Sequence, residues 1–258
     1  MVKGRRGNRS VVLALAVAWI VLAAGCATVD YRTLSAPEIF DVGQKYYDGS
    51  KWDRAKEAFE KLKELYPLSV KVTPAELRIA EIMYRKHQYA EAITTLDEFI
   101  TRHPTNDEVP RAVFYLGMAN YNQMLTIDRD QNLTKEAERH LQRLVTQYPS
   151  SPFAEQGKPK LADVRLRLAK RERYVGRFYW KQGEYYAALG RFLGLGADYA
   201  DTPLADEGLY YAARCHLKLH DPGAAAKVLA DELQRYPKGA FAAQAKSMLA
   251  GLRVSKAE

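Results

Sequence analysis

Two cysteines, Cys26 and Cys215, are all that the 258-residue chain contains. If Cys26 carries a lipid, as its context indicates below, Cys215 is the only thiol left and no internal disulfide can form. Catalytic motifs are missing as well: the chain has no nucleophile motif, no glycine-rich phosphate loop and no HExxH zinc motif. These absences argue against an enzyme, and we expect a non-catalytic protein.

Metal ligands are equally sparse. His216 and His220 stand four residues apart on one predicted helix, a spacing that could hold a metal ion. No third ligand is evident nearby, so we interpret them as ordinary surface or packing histidines and expect neither a metal nor a cofactor. Cys215 lies on the same predicted helix, where we expect a small packed residue and not a reactive thiol.

The chain also lacks an apolar run that could span a membrane. The uncharged run from Ser10 to Gly25 is short for a spanning helix, which needs about 20 apolar residues. Four basic residues precede it: Lys3, Arg5, Arg6 and Arg9. This order, with small residues just before Cys26, resembles a bacterial lipoprotein signal and its lipobox. We therefore expect residues 1–25 to be cleaved and the Cys26 thiol to carry a covalent lipid; an ordinary signal anchor is the alternative.

The residue after Cys26 predicts the location. Aspartate there retains lipoproteins of enterobacteria in the inner membrane, and Ala27 stands in its place. We therefore expect a protein on the periplasmic face of the outer membrane, held by its acyl chains alone. The net charge of +8 falls to +4 without the four basic residues of the signal region. That balance is weak evidence for nucleic acid, and we expect no nucleic-acid partner.

What the chain does contain is an internal repeat. Five segments end in the same way, at Pro67, Pro104, Pro149, Ala200 and Pro237. Each carries an alanine twelve residues before this end point: Ala55, Ala92, Ala137, Ala188 and Ala225. A large apolar column lies eight residues before that point: Phe59, Leu96, Leu141, Phe192 and Leu229. A third column lies five before it and reads Leu62, Phe99, Leu144, Leu195 and, as a departure, Glu232. The preceding segments share a small-residue column: Gly43, Ala80, Gly117, Gly176 and Ala213.

This pattern resembles the tetratricopeptide repeat, which has a period of about 34 residues. Small side chains at facing positions let two antiparallel helices approach closely, and stacked hairpins then bury a common core. The expected fold class is therefore all-α, a tetratricopeptide-repeat solenoid of about five helical hairpins. Helix starts are predicted where a capping residue stands close before a proline, at Ser35, Thr73, Ser151, Thr202 and Asp221.

Two repeats depart from the regular spacing of 37 residues. Eight extra residues lie between the two helices of repeat three, and 14 extra residues precede the small position of repeat four. We interpret the second expansion as a first helix that is lengthened at its start. Pro159 would either kink this helix or mark its true beginning. The first expansion carries the string Asp128-Arg129-Asp130-Gln131.

The lipobox, the five repeats, that insert and the long basic helix occur together in this chain. In this combination it resembles the BamD family, the tetratricopeptide lipoproteins of the outer-membrane β-barrel assembly machinery, over essentially the whole length after the signal peptide. The resemblance implies a scaffold that receives unfolded outer-membrane proteins and docks the barrel-forming subunit for folding and insertion. The membrane contact would be the lipid anchor only.

The resemblance also implies two functional halves. A lipidated linker at 26–36 would precede repeats one to three at 37–149, which would receive unfolded outer-membrane proteins. Repeats four and five with a terminal helix, at 150–251, would dock the barrel-forming subunit through its periplasmic domain, together with other assembly lipoproteins. Residues 252–258 would form a tail.

Candidate client-binding residues lie three before and four after the small position, on the face that we expect to be concave. In repeats one to three they are Phe40, Tyr47, Leu77, Tyr84, Phe114 and Tyr121. They could line an apolar groove for client segments, or they could be the core between hairpins. The sequence leaves both possibilities open.

Candidate docking residues lie in the insert of repeat three and in the basic region at 158–191, which holds ten basic and three acidic residues. The predicted partner-binding residues are Arg173, Arg177, Arg191, Asp128, Arg129, Asp130 and Gln131. The position of Arg191 is an arginine in BamD-like sequences, where it is associated with docking of the barrel-forming subunit. A merely solvated basic face is the alternative.

Two other kinds of helical-repeat protein remain as alternatives. A pilotin-like lipoprotein, which assists secretin or pilus assembly, would be expected to keep the regular repeat period. A periplasmic cell-division repeat protein would lack the lipid.

Overall fold

The computed structural model describes residues 29–254, and all regular secondary structure within this range is helical. A short 3₁₀ turn at Tyr31–Thr33 precedes eleven α-helices in this range. The helices are α1 (Ala36–Asp48), α2 (Trp52–Leu65), α3 (Val72–Arg85), α4 (Tyr89–Arg102), α5 (Val109–Tyr121), α6 (Asn132–Gln147), α7 (Pro152–Gln182), α8 (Tyr185–Asp198), α9 (Ala205–Lys218), α10 (Pro222–Arg235) and α11 (Ala242–Val254). The predicted signal peptide and Cys26 lie outside the described residues.

The helices pair as the repeat predicts, and the tetratricopeptide hairpin architecture is confirmed. Helices α1 and α2 form the first hairpin, and the pairs α5/α6, α7/α8 and α9/α10 pack in the same way. Leu77 and Ala80 of α3 share a core cluster with Ala92 and Leu96 of α4. The final helix packs on α10 and ends at Val254, so residues 252–254, predicted as tail, are helical.

The chain forms two compact units, one ending at Ala75 and the other beginning at Glu76. The first unit contains the α1/α2 hairpin. The second contains the remaining hairpins and α11. This division falls inside α3 and differs from the functional halves at 37–149 and 150–251, which stay a prediction.

Three of the predicted helix starts are confirmed by their hydrogen bonds. The side chain of Ser151 accepts the backbone N–H of Phe153 at 3.2 Å, and Asp221 accepts that of Ala224 at 2.8 Å. At Ser35, the backbone N–H donates to the Glu38 carboxylate at 2.7 Å, which is the capping-box contact. Each bond satisfies a helix-terminal group that would otherwise have no partner.

Two predicted starts are wrong. Helix α3 already begins at Val72, and Glu76, the expected partner of a Thr73 cap, accepts from Arg102 at 2.8 Å. Helix α9 begins at Ala205 and not directly after Thr202. The Thr202 hydroxyl donates to the carbonyl of Tyr199 at 2.8 Å, so this residue lies in the preceding turn.

The lengthened helix of repeat four is confirmed, and Pro159 does not mark its beginning. Helix α7 runs for 31 residues from Pro152 with Pro159 inside it. Proline there removes one backbone donor, yet the helix continues because its next turns are buried. Leu161, Val164 and Leu168 form a core cluster with Ala137 and Leu141.

The repeat columns mark the contact between the two helices of each hairpin. All five alanines of the alanine column and all five residues of the large apolar column are completely buried. In the small-residue column, two of the three glycines face a phenylalanine ring. A Cβ atom on Gly43 would lie 2.6 Å from the Phe59 ring, and one on Gly176 would lie 2.9 Å from the Phe192 ring. At both positions the phenylalanine ring occupies the space that a methyl group would need, so glycine fits where alanine would overlap.

We expect Gly176→Ala to lower the free energy of unfolding by about 1–3 kcal/mol, because the added methyl group overlaps Phe192. The control is Gly190→Ala in α8, where a Cβ atom meets nothing within 4 Å. That variant should gain about 0.5–1 kcal/mol from helix propensity alone. Urea unfolding measures both. Equal stability of the two variants would mean that the close approach is not a constraint.

One residue of the third column is not apolar. Glu232 of α10 is completely buried, and neither of its carboxylate oxygens has a hydrogen-bond partner. Burial, and to a smaller extent the negative charge of Asp206, raises the pKa of Glu232 to about 7. The carboxyl group is therefore most stable in its neutral form.

This pKa predicts a pH-dependent stability. Because the folded-state pKa lies above the ordinary value of 4.5, the stabilisation by neutral Glu232 is fully present below that value and is lost as pH rises through about 7. The free energy of unfolding of Glu232→Gln should therefore rise relative to the unaltered protein by about 3 kcal/mol between pH 4.5 and pH 8. Denaturant unfolding at several pH values measures this difference. A constant difference would contradict a raised pKa.

Candidate functional site

The insert between α5 and α6 is organised from within by Gln131. This residue is buried, and its side-chain amide donates to the carbonyl oxygens of Thr126 at 2.8 Å and Arg129 at 3.0 Å. Its side-chain oxygen accepts the Thr134 hydroxyl at 3.0 Å. Gln131 was predicted to bind a partner, but these contacts give it an internal role. Its burial could not be read from the sequence.

The other three residues of the string are exposed. Asp128, Arg129 and Asp130 all face solvent. The Asp130 carboxylate accepts the backbone N–H of Asn132 at 2.8 Å and so supports the start of α6. Hydrogen bonding from Thr126 holds the pKa of Asp128 below its ordinary value. These side chains keep the insert charged on its outer surface.

Two arginines of α7 fasten the insert to that helix. Arg167 donates through Nε to the carbonyl oxygen of Leu125 at 3.0 Å. One turn later, Arg171 donates to the carbonyl oxygen of Ile127 at 2.7 Å. The two departures from the regular repeat, the insert and the long helix, therefore contact each other, which their separate positions in the sequence did not predict.

An open groove lies where they meet. It has a volume of about 610 Å³ and is lined by four cations and two aromatic rings of α7 and by one residue of the insert. The lining residues are Lys170, Arg173, Tyr174, Arg177, Phe178, Lys181 and Ile127. We refer to it as the α7 groove. Its volume is in the range of about 300–1,000 Å³ that is usual for ligand pockets.

Arg173 and Arg177, both predicted docking residues, line this groove and share one internal partner. Arg177 Nε donates to Glu207 Oε1 at 2.9 Å, and Arg173 Nη1 donates to Glu207 Oε2 at 3.4 Å. The Arg177 guanidinium also lies 4.8 Å from the centre of the Tyr211 ring. Glu207 is buried, whereas the two arginine side chains remain 37% and 44% exposed. Both can reach a partner without leaving Glu207.

Arg191 lies on α8 at a distinct place. Its Nη1 donates to Glu172 Oε2 of α7 at 3.2 Å, and its side chain is 48% exposed. An exposed pair of this kind is worth about 0–1 kcal/mol, because solvent screens it. Arg191 is thus available to a carboxylate from outside.

Several arginines of the basic region are engaged inside the molecule. Arg165 donates to Asp201 at 2.7 Å, to Glu138 at 2.7 Å and to the carbonyl oxygen of Asp198 at 2.6 Å. Arg167 and Arg171 bond to the insert in the same structural way. Three of the ten cations therefore have mainly a structural role. The region is therefore less cationic towards solvent than its composition predicts.

The first unit contains two of the predicted client residues, and both contact other aromatic rings. Phe40 is half-buried with its ring 5.5 Å from that of Phe59, and the Lys71 ammonium lies 5.1 Å from the Phe40 ring centre. Tyr47 packs edge-on against Trp52 at 5.3 Å. Both rings thus belong partly to the packing of this unit.

The second unit contains the other four. Leu77 is almost completely buried in the core and cannot line an open groove. Tyr84 and Phe114 are half-buried and both pack on Tyr115, at 5.1 and 5.5 Å. Tyr121 is half-buried and donates its hydroxyl to Asp163 at 2.8 Å. These rings are mainly contacts between hairpins, with one edge exposed.

Cys215 and the two histidines of its helix were the remaining candidates for chemistry. Cys215 is completely buried, so the prediction of a small packed residue is confirmed, and burial raises the pKa of its thiol to about 12. Over residues 29–254, no three histidine, cysteine or acidic side chains cluster as a metal site would require. The same range contains no helix with the length and hydrophobicity that crossing a bilayer requires.

Comparison with known proteins identifies the family of the chain. Residues 32–230 match the family YfiO, described as outer membrane lipoprotein. The chain belongs to this family. Relatives named outer membrane protein assembly factor BamD include those of Caulobacter vibrioides, 28% identical over 82% of this chain and 72% of the relative, and Rickettsia prowazekii, 29% identical over 81% and 84%. The BamD of Neisseria meningitidis serogroup B is 24% identical over 81% and 82%.

Solved structures that the chain matches include two tetratricopeptide proteins. The tetratricopeptide domain of P58(IPK) is 16% identical, with a TM-score of 0.42 over 84% of this chain and 54% of that one. A thermophilic tetratricopeptide protein of Thermus thermophilus is 18% identical, with a TM-score of 0.36 over 85% and 100%.

The role of Gln131 can be tested by stability. We expect Gln131→Ala to lower the free energy of unfolding by about 1–3 kcal/mol, because carbonyl groups of the insert and the Thr134 hydroxyl lose a buried hydrogen-bonding partner. Arg129→Ala is the matched control, since its side chain is exposed, and it should change stability by less than about 0.5 kcal/mol. Thermal unfolding compares the two. Equal melting temperatures would contradict an organising role for Gln131.

Proposed function

We propose that this chain is a subunit of the outer-membrane β-barrel assembly complex, a lipid-anchored scaffold that binds other proteins and catalyses no reaction. The observation that carries the proposal is the family match over residues 32–230, with relatives named as assembly factors along most of their length. That match favours an assembly factor over a pilotin-like lipoprotein. Membership of an outer membrane lipoprotein family supports outer-membrane association, with Cys26 as the proposed lipid acceptor on the periplasmic side.

In this proposal, the repeats at 150–251 dock the barrel-forming subunit through its periplasmic domain. Arg191 is the best placed residue, because its guanidinium is half-exposed and its contact with the Glu172 carboxylate is a solvent-screened one. A carboxylate on the docking domain would replace Glu172 with paired hydrogen bonds, a geometry that arginine favours. Arg173, Arg177 and the exposed charges of the insert would contact a second partner among the other assembly lipoproteins.

The repeats at 37–149 would receive unfolded outer-membrane proteins. Aromatic rings suit this role, because they bury large areas against an apolar partner. The first unit offers the exposed edges of Phe40 and Tyr47, and the second unit offers those of Tyr84, Phe114 and Tyr121. Leu77 would support these rings from the core. The rings also pack between hairpins, so their removal would affect stability as well as binding.

The docking proposal predicts a specific loss. When the full chain is purified from solubilised outer membranes, the barrel-forming subunit should accompany it. We expect Arg191→Ala to leave the fold intact and to weaken binding of that subunit's last periplasmic domain by about 2–5 kcal/mol if the pair is buried at the interface. Titration of the isolated domain measures the affinity.

The matched control is Glu172→Gln, which removes the internal partner of Arg191 and leaves the arginine in place. It should bind at least as tightly as the unaltered chain. Recovery of a secretin in place of the barrel-forming subunit would overturn the proposed function. Equal affinity of Arg191→Ala and the unaltered chain would remove only Arg191 from the interface.

A further inference from the structure

We propose that the α7 groove is a second partner site, which binds a short extended peptide segment combining acidic side chains with an apolar or aromatic one. The inference rests on the proposed scaffold function, because it names a further class of partner for the same half of the chain. It differs from the docking of a folded domain at Arg191. The groove has a volume of about 610 Å³, which has room for a few side chains of an extended segment.

The charge of the groove selects an acidic segment. Four cations line it, and no carboxylate of the described residues does. Arg173 and Arg177 are partly neutralised by Glu207. Lys170 and Lys181 are exposed at positions along the same helix, and within residues 29–254 neither ammonium pairs with an acidic side chain. Two unpaired positive charges along one side of the groove favour a ligand with at least two negative ones.

The two aromatic rings of the groove add an apolar requirement. Tyr174 is 49% exposed and Phe178 is 53% exposed, and they lie one helical turn apart between Lys170 and Lys181. Aromatic and arginine side chains are enriched in protein interfaces, and this groove presents both to solvent. A partner side chain that covers these rings would bury apolar area that is now in water.

The opposite wall of the groove is held in place before any ligand arrives. Ile127 lines it, and its carbonyl oxygen accepts Arg171 at 2.7 Å. The neighbouring Leu125 carbonyl accepts Arg167 at 3.0 Å, and Gln131 holds the loop from inside. A preformed wall lowers the entropy lost on binding. A repeat of regular length has neither the insert nor this wall.

The test uses a short synthetic peptide with a central phenylalanine between aspartates, titrated into the full chain at physiological salt. The binding variants are Phe178→Ala and the double change Lys170→Gln with Lys181→Gln. Tyr186→Ala and Lys227→Gln are the matched controls, because both residues are exposed outside the groove. Thermal unfolding confirms that each variant folds.

We expect the unaltered chain to bind the peptide and each groove variant to bind it about tenfold more weakly, a loss typical of an interface anchor. The controls should bind as the unaltered chain does. Replacing the aspartates by lysines should abolish binding, and replacing the phenylalanine by glycine should weaken it. Raising the salt concentration should weaken binding of the acidic peptide, because salt screens the charges of the exposed lysines.

Four results would overturn the proposal: no binding of the peptide, equal binding by groove variants and controls, tighter groove-dependent binding of anionic lipid vesicles, or tighter groove-dependent binding of single-stranded nucleic acid. The last is included because cations beside exposed rings also suit stacked bases. These outcomes are independent of Arg191. Loss of the barrel-forming subunit from purified complexes would count against the proposed function and would leave the peptide measurement unaffected.

Discussion

Each hairpin of the described chain depends on a close approach of two antiparallel helices at a small side chain. The alanine column of the second helices is completely buried, and Gly43 and Gly176 of the first helices leave less than 3 Å for a methyl group beside a facing phenylalanine ring. The large apolar residue one turn on can fill the space only because these positions are small. Stacking then buries a common core that no single hairpin could form.

Departures from this constraint concentrate in the second unit. The insert adds a loop that no hairpin requires, and α7 adds about four turns before its small residue. The two are joined by arginines that donate to backbone carbonyl groups. Some cations of α7 therefore hold the structure together, and others face solvent. Arg165, Arg167 and Arg171 hold neighbouring elements, while Lys170 and Lys181 remain directed at solvent beside exposed rings. A basic composition alone does not distinguish these two groups.

Glu232 is a departure of another kind. It occupies a column that is otherwise apolar, and it has no hydrogen-bond partner for either carboxylate oxygen. A buried, unpaired carboxyl group remains tolerable only while it is neutral, which makes the last hairpin sensitive to pH. The break in the column was visible in the sequence, but its energetic consequence depends on the burial that the neighbouring helices impose.

The sequence by itself determined the hairpins, their register and their number, because four columns of five residues recur through the chain and the small and large positions face each other for a steric reason. It also predicted the lengthened α7 and the packed state of Cys215. Only the tertiary structure decided which side chains are free to bind: Leu77 and Gln131 proved to be buried, and Arg191 proved to be paired with Glu172. The groove between α7 and the insert was equally hidden, since its two sides lie more than 40 residues apart in the chain. Local periodicity specifies which face of a helix is apolar, whereas the pairing of polar groups across the core is set by contacts between distant segments.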